Sequence, residues 1–293
     1  MINALTIDLE PWHVGELLHK HVPDQQDDQI EAPARRILKL LDKYETKATF
    51  FKLGVVAEKY PEIVHEIYDK GHEVASHCYS HLTLSALGEK ASEAEIIKSV
   101  KLLESITGEK PIGFRAPSFS INNATKWAFR ILVENGFIYD SSIFPVKLPV
   151  RVMDYGLPDA PIHPYKPSLE NVTQEDPNGR IIEFPLTVLK LVQNIPVAGG
   201  FYLRVLPLWF LKFAIRRVNK TRMAVVYIHP WETYSGTPAL YGTPLFSRFI
   251  TRYGIGSALG KLEGLLKEFK FQPLCRFLEN AENSRRFVKS SSD

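Results

Sequence analysis

Short apolar runs alternate with stretches of helical periodicity along most of this 293-residue chain, and that alternation constrains the fold more than any other feature. Residues 5–8 read as a strand, and Ile30, Ala34, Ile37, Leu38 and Leu41 then recur at helical spacing. Residues 47–53 form a β-type run, 55–70 a helix ended by Gly71, and Glu73–Ser76 a short strand. Ile96, Val100, Leu103 and Ile106 mark a helix ended by Gly108. The alternation continues through 112–115, a helix over 124–135, strands at 137–141 and 181–184, and a helix over about 207–219. It closes with the apolar run 224–228, a helix through Leu259, Leu262, Leu266 and Phe269, and a strand opened by Phe271. Repeated strand–helix units imply parallel strands with helices packed outside, as a barrel or a doubly wound sheet. No Gly-x-Gly-x-x-Gly and no Gly-x-x-x-x-Gly-Lys-Ser/Thr sits at the first junctions, which argues against a nucleotide fold. Polar residues gather at the C-terminal ends of the strands: Asp8 and Glu10, His77, Arg115, Asp140 and His229. In barrels those ends carry the active site.

A chain that is 45% hydrophobic and 24% charged buries a core without disulfides. Net charge is +3, from 36 Lys+Arg against 33 Asp+Glu, too mild for a nucleic-acid partner. Two distant cysteines, Cys78 and Cys275, make no disulfide framework and favour a reducing compartment. The N-terminal residues enter a strand with no secretory signal pattern, and no apolar run of about 18 residues is present. A cytoplasmic location, peripheral at the inner membrane, is therefore expected. Residues 1–280 read as one domain with a Pro-rich loop insertion at 145–180, where seven prolines fall between Pro145 and Pro177; 281–293 read as a polar tail.

Several segments carry chemistry. Asp8 and Glu10 flank Leu9, so on a regular strand both carboxylates face one side, where one could bind a metal and the other take a proton from water. His77 and His81 lie four residues apart in Ser76-His77-Cys78-Tyr79-Ser80-His81; two imidazoles and a carboxylate are a known catalytic zinc set with room for water. Taken singly, each pair is more often an exposed or hydrogen-bonded cluster than a site. Arg115 could orient a carboxylate by a bidentate pair. His229 follows an apolar strand and suits a general acid, although such a histidine is often only a satisfied core residue. Gly199 and Gly200 allow close backbone approach to a ligand, or simply a turn.

These segments, in this order, resemble the polysaccharide deacetylases, the NodB-homology group called carbohydrate esterase family four. Thr6-Ile7-Asp8-Leu9-Glu10 matches the first motif, the histidine segment the second, Arg115-Ala116-Pro117-Ser118 the third and Ile228-His229 the last. Tyr139-Asp140-Ser141-Ser142-Ile143-Phe144-Pro145, Pro196-Val197-Ala198-Gly199-Gly200 and His229-Pro230-Trp231-Glu232 resemble the exopolysaccharide and O-antigen branch, which usually has an acidic residue where this chain has Pro11.

The resemblance implies a distorted, incomplete (β/α) barrel, TIM-like with about seven strands, and an N-deacetylase. It implies Glu10, His77 and His81 as ligands of one divalent metal, with zinc as the expected ion. It implies Asp8 as base, Arg115 as its partner and His229 as acid, with Asp140 or Glu232 orienting His229. Ser118, Asp140, Gly199, Gly200 and Trp231 are the expected substrate contacts. The expected substrate is an N-acetylated amino sugar in a polysaccharide, O-antigen or lipid-linked glycan. An amide hydrolase acting on peptidoglycan or a cyclic ureide, and a catalytically decayed glycan-binding module, are the alternatives. An oligomer is compatible with the sequence. Residues 206–222 join Trp209 and Phe213 to Arg216, Arg217, Lys220 and Arg222, which suits either peripheral contact with an anionic membrane or an ordinary barrel helix.

Overall fold

Strand β1 (Ile2–Leu9) is buried on both faces, and its two-residue alternation divides two environments. In the computed structural model, which describes residues 1–15, 18, 27–147, 156–197, 199–238 and 243–278, Leu5, Ile7 and Leu9 enter one core. Ala34, Ile37, Leu38 and Leu41 of α1 (Glu31–Lys43) complete it from the helix side. Ala4 faces the other way, into a cluster with Phe51, Ala75, Tyr139, Phe144 and Tyr227 inside the curl of the sheet.

The chain continues through β2 (Thr49–Lys52), α2 (Gly54–Lys59), α3 (Pro61–Asp69), β3 (Glu73–Ser76), α4 (Leu84–Leu87), α5 (Glu89–Thr107), β4 (Gly113–Phe114), α6 (Trp127–Glu134), β5 (Tyr139–Asp140) and β6 (Ile182–Glu183). There follow β7 (Val188–Lys190), β8 (Asn194–Pro196), α7 (Phe201–Val205), α8 (Leu208–Val218), β9 (Val225–Ile228), α9 (Leu245–Arg252), α10 (Ile255–Leu266) and β10 (Lys270–Gln272). Strands β9-β1-β2-β3-β4-β5-β6 pair in parallel, and β10 also pairs with β1 along Ile2–Ala4. This seven-strand curl is the expected incomplete (β/α) barrel. Its two ends nearly meet: the Val225 N–H donates to Thr187 Oγ1 at 2.6 Å.

Three features depart from the sequence periodicity. The helix expected over 55–70 is two helices, because Pro61 offers no N–H and holds Tyr60 outside the helical region, at φ −131° and ψ 57°. The antiparallel hairpin β7–β8 and helices α7 and α9 are too short for periodicity to mark. Residues 148–155 of the Pro-rich insertion and the 281–293 tail lie outside the described residues. A single barrel domain over 1–280 is kept as a proposal, because strands near both ends of the chain, β1 and β10, pair in one sheet. Among the described residues no helix is long and apolar enough to cross a membrane.

Candidate active site

A cleft of about 160 Å³ opens where the strands end. Asp8, Glu10, His77, His81, Ser118, His229 and Trp231 all line it. The histidine pair does not ride on a helix, despite its four-residue spacing. It sits on the loop after β3, where Cys78 and His81 take left-handed conformations with φ of 64° and 67°. Two neighbours hold that loop. The first N–H groups of α2, on Gly54 and Val55, donate to the carbonyls of Cys78 (3.0 Å) and Tyr79 (3.1 Å), using donors that a helix start leaves free. Glu95 of α5 accepts from the Ser80 hydroxyl at 2.6 Å and the Ser80 N–H at 3.1 Å.

The His77 Nδ1–H donates to the Arg115 carbonyl at 2.7 Å, since a carbonyl can only accept. That leaves the Nε2 lone pair toward Glu10 Oε2, 3.6 Å away. His81 Nε2 lies 2.8 Å from the same oxygen. Burial opposes ionisation of Glu10. The neighbouring histidines, His81 and His229 foremost, outweigh it, and the carboxyl sits well below its ordinary range.

Asp8 is anchored from behind. Arg115 is fully buried and gives one Nη1 to Asp8 Oδ1 (2.6 Å) and Thr6 Oγ1 (2.9 Å). Its Nε and Nη2 go to the carbonyl and hydroxyl of Ser141, and its plane packs 4.2 Å from the Phe51 ring centre. With every direction of the fork engaged, the second Asp8 oxygen is left 3.9 Å from His229 Nε2.

His229 directly follows β9, and the 3₁₀ turn Pro230–Thr233 folds Glu232 back onto it. Glu232 Oε2 accepts from the His229 N–H (3.1 Å) and from Nδ1 (2.9 Å). Trp231 stacks on the imidazole with ring centres 5.5 Å apart. Burial alone would lower the His229 pKa; the carboxylates of Glu10, Glu232 and Asp8 raise it to about 9. Burial likewise disfavours the Glu232 anion, but Arg204 and His229 bring it down to about 2.

Other expected contacts fall elsewhere. Asp140 does not line the cleft: it is fully buried, and its carboxylate accepts from the hydroxyl and N–H of Ser142. Burial raises it, and burial together with the Asp140 charge raises its strand neighbour Glu183 further. Glu232, not Asp140, is therefore the acid on His229. Gly199 and Gly200 approach protein backbone, not the cleft. Gly199 (φ 134°) lies so close to the Tyr227 carbonyl that a Cβ would collide with it, and the Gly200 N–H donates to that oxygen at 3.1 Å. Ser118 lines the cleft in a left-handed conformation, φ 50°. Sequence patterns gave no signal for Glu95 or Arg204, which reach the site from helices remote in sequence.

The donor set suits a divalent ion. Ligand atoms of Glu10, His77 and His81 lie within 4.8 Å of one another, the only such group of three among the described residues. Two imidazole nitrogens and a carboxylate oxygen beside an open cleft are the donors of a catalytic divalent-metal site, and the His77 Nδ1–carbonyl bond is the outer contact such ligands make.

Known proteins bear on two parts of the chain. Residues 24–132 match the polysaccharide deacetylase family model. Residues 141–279 match a domain of unknown function, DUF3473. Peptidoglycan deacetylase-like protein FGM2 of Gibberella zeae is 27% identical over 266 residues, covering 86% of this chain and 74% of that protein. A peptidoglycan deacetylase of Helicobacter pylori is 40% identical over 108 residues, 37% of this chain. A peptidoglycan-N-acetylglucosamine deacetylase of Bacillus cereus is 40% identical over 94 residues. The matched stretches span 36% and 34% of those two bacterial proteins. The fold is that of a Mycobacterium smegmatis structure assigned to the polysaccharide deacetylases, with a TM-score of 0.63 at 19% identity, over 96% of this chain and 90% of that one.

Proposed function

We propose that this chain, whose residues 24–132 match the polysaccharide deacetylase family model, is a metal-dependent hydrolase that removes the acetyl group from an N-acetylated amino sugar of a glycan. One observation carries this function: a three-residue ligand group, an arginine-bound aspartate and a carboxylate-bound histidine line one cleft. An amide is a poor electrophile and an amine a poor leaving group, so the reaction needs an electrophilic catalyst, a base and an acid.

A divalent ion held by Glu10, His77 and His81 would supply Lewis acidity toward the acetamide carbonyl and an acidified water. Asp8 Oδ2 takes the proton of the attacking water, while Arg115 fixes the other oxygen. His229 Nε2 gives its proton to the departing nitrogen. Its Nδ1–H stays on Glu232, which sets the tautomer and favours the charged ring. Acetate and a free amino sugar leave. The relatives' names support a peptidoglycan, chitin or related polymer as the substrate class; a lipid-linked or O-antigen glycan is the finer proposal. Tyr227, Phe119, Phe201 and Trp231 give the cleft aromatic walls suited to sugar faces.

Acetate release from a panel of peptidoglycan fragments, chitin oligomers and lipid-linked amino sugars tests this. Chelation should abolish release and added zinc restore it; His77→Ala should lose on the order of 10²-fold or more in rate and lose bound metal. Full activity in chelator, with no metal retained by the wild type, would overturn the metal-dependent mechanism.

A further inference from the structure

Helix α9 forms part of the cleft wall through Ile250 and Thr251, yet it is weakly attached. Ser247 is its one buried residue, and Leu245, Phe246 and Phe249 face outward. A single guanidinium takes the free carbonyls of its C-terminal end. Arg204, 2% exposed, donates through Nη2 to the Ile250 carbonyl and through Nη1 to the Tyr253 carbonyl, both at 2.6 Å. Those are carbonyls a helix end leaves without internal partners, at the end where a cation is favoured. The remaining arm, Nε, meets Glu232 Oε1 at 2.7 Å. The other oxygen of Glu232 holds both the N–H and Nδ1 of His229.

Arg204 is itself held on its backbone side. Its helix α7 begins at the Gly199–Gly200 contact with Tyr227. Lys261 of α10 donates to the carbonyls of Arg204 (2.6 Å) and Leu206 (2.8 Å). Gly254, in a left-handed turn at φ 77°, lets the chain after α9 pass against the Arg204 carbonyl, where a Cβ would come within 2.6 Å of the oxygen.

We propose that Arg204 is a positioning residue that fastens the α9 wall to the carboxylate orienting His229, so that the surface meeting the sugar and the group delivering the proton are held as one rigid unit. This rests on the amide-hydrolase function proposed above. A lysine cannot replace the fork, because one ammonium does not span three acceptors set around a plane. Among the described residues the last turn of α9 is also tied by a Phe201–Phe249 ring contact at 5.8 Å and an Arg252 bond to the Thr237 carbonyl, but neither engages the Ile250 and Tyr253 carbonyls that Arg204 holds.

Arg204→Gln and Arg204→Lys in the full chain test this by two independent measurements. Hydrogen exchange should show lost protection in a peptide over 245–254 and retained protection over β9. In kinetics, His229 matters for an amine leaving group and hardly for a nitrophenolate. Arg204→Gln should therefore lower kcat on the N-acetyl sugar roughly tenfold more than on 4-nitrophenyl acetate, raise KM for the sugar, and be only partly rescued by lysine. Equal losses on the two substrates, or unchanged exchange in 245–254, would overturn the proposal. If Arg204→Gln fails to fold because the buried Glu232 Oε1 is left without its cationic partner, the neutral double variant Arg204→Met with Glu232→Gln carries the same exchange test. If the wild type releases no acetate from any sugar, the deacetylase function falls; exchange still decides whether Arg204 anchors α9.

Discussion

At the scale of single residues, the site depends on which oxygen each charged group faces. Glu10 could have been base or ligand from sequence alone. Its Oε2 faces both histidine Nε2 atoms, whereas Asp8 is tied to Arg115. Glu232→Gln should lower amide hydrolysis on the order of 10²-fold, because the Nδ1 partner loses its charge, while leaving bound metal stoichiometric; initial rates with elemental analysis check this. An unchanged rate would remove Glu232 from the acid's support. The motif positions Asp8, His77, His81 and His229 were legible because strand-end residues and a short histidine repeat are local patterns. Glu232 was only a weak candidate, since nothing in Pro230-Trp231-Glu232 reveals that a 3₁₀ turn bends it back onto the histidine.

At the scale of elements, glycine placement and helix exposure make two predictions. Gly199→Ala puts a methyl into the Tyr227 carbonyl at a φ that alanine avoids, and should destabilise the chain by about 2–4 kcal/mol in urea unfolding. A neutral outcome would mean α7 can move away from β9. Helix α8 leaves Trp209 70% and Phe213 51% exposed, with Arg217 and Lys220 on the following turns. If this face docks on an anionic bilayer, Trp209 fluorescence should shift to the blue with anionic vesicles and not with neutral ones, and Trp209→Ala should reduce co-flotation. No binding to either vesicle would leave α8 a barrel helix. Strand and long-helix elements were readable from their apolar periods. The break at Pro61 was written in the sequence but outweighed by the continuous stripe across it, and α9 shows its apolar residues to solvent, contrary to the pattern of a core-packed helix.

At the scale of the whole molecule, stability should fall with acid in two steps. His72 is buried, with Nδ1 accepting from the Ala48 N–H at 3.2 Å; burial, aided by the Lys47 charge, lowers its pKa from 6.5 to about 4. Its folded pKa lies below the unfolded one, so the unfolded chain binds the proton first. The His72 contribution is full above about pH 6.5 and is lost down to about pH 4, by on the order of 3 kcal/mol; that of His229, with its folded pKa raised to about 9, runs the other way and is full only below about pH 6.5. Glu232, lowered from 4.5 to about 2, contributes fully above about pH 4.5 and loses that contribution as pH falls toward 2. Urea midpoints at pH 7, 5 and 3 should show both losses, and His72→Gln should flatten the first. A midpoint constant from pH 7 to 4 would contradict the neutral state of His72.

The sequence by itself determined the parallel strand–helix alternation, the strand ends that carry polar groups and the residue types a hydrolytic site needs. Those are properties of backbone periodicity and of neighbours a few residues apart. Only the tertiary structure decided that Glu10 rather than Asp8 meets the histidines, that Glu232 rather than Asp140 holds His229, and that Gly199 and Gly200 serve packing. The first and third depend on contacts across the barrel, such as Asp8 to Arg115 over 107 positions; Glu232 lies only three residues from His229, but its other oxygen is held by Arg204 over 28 positions. Such contacts are set by strand pairing, loop closure and the direction each side chain leaves its strand, none of which is encoded in any short window of sequence.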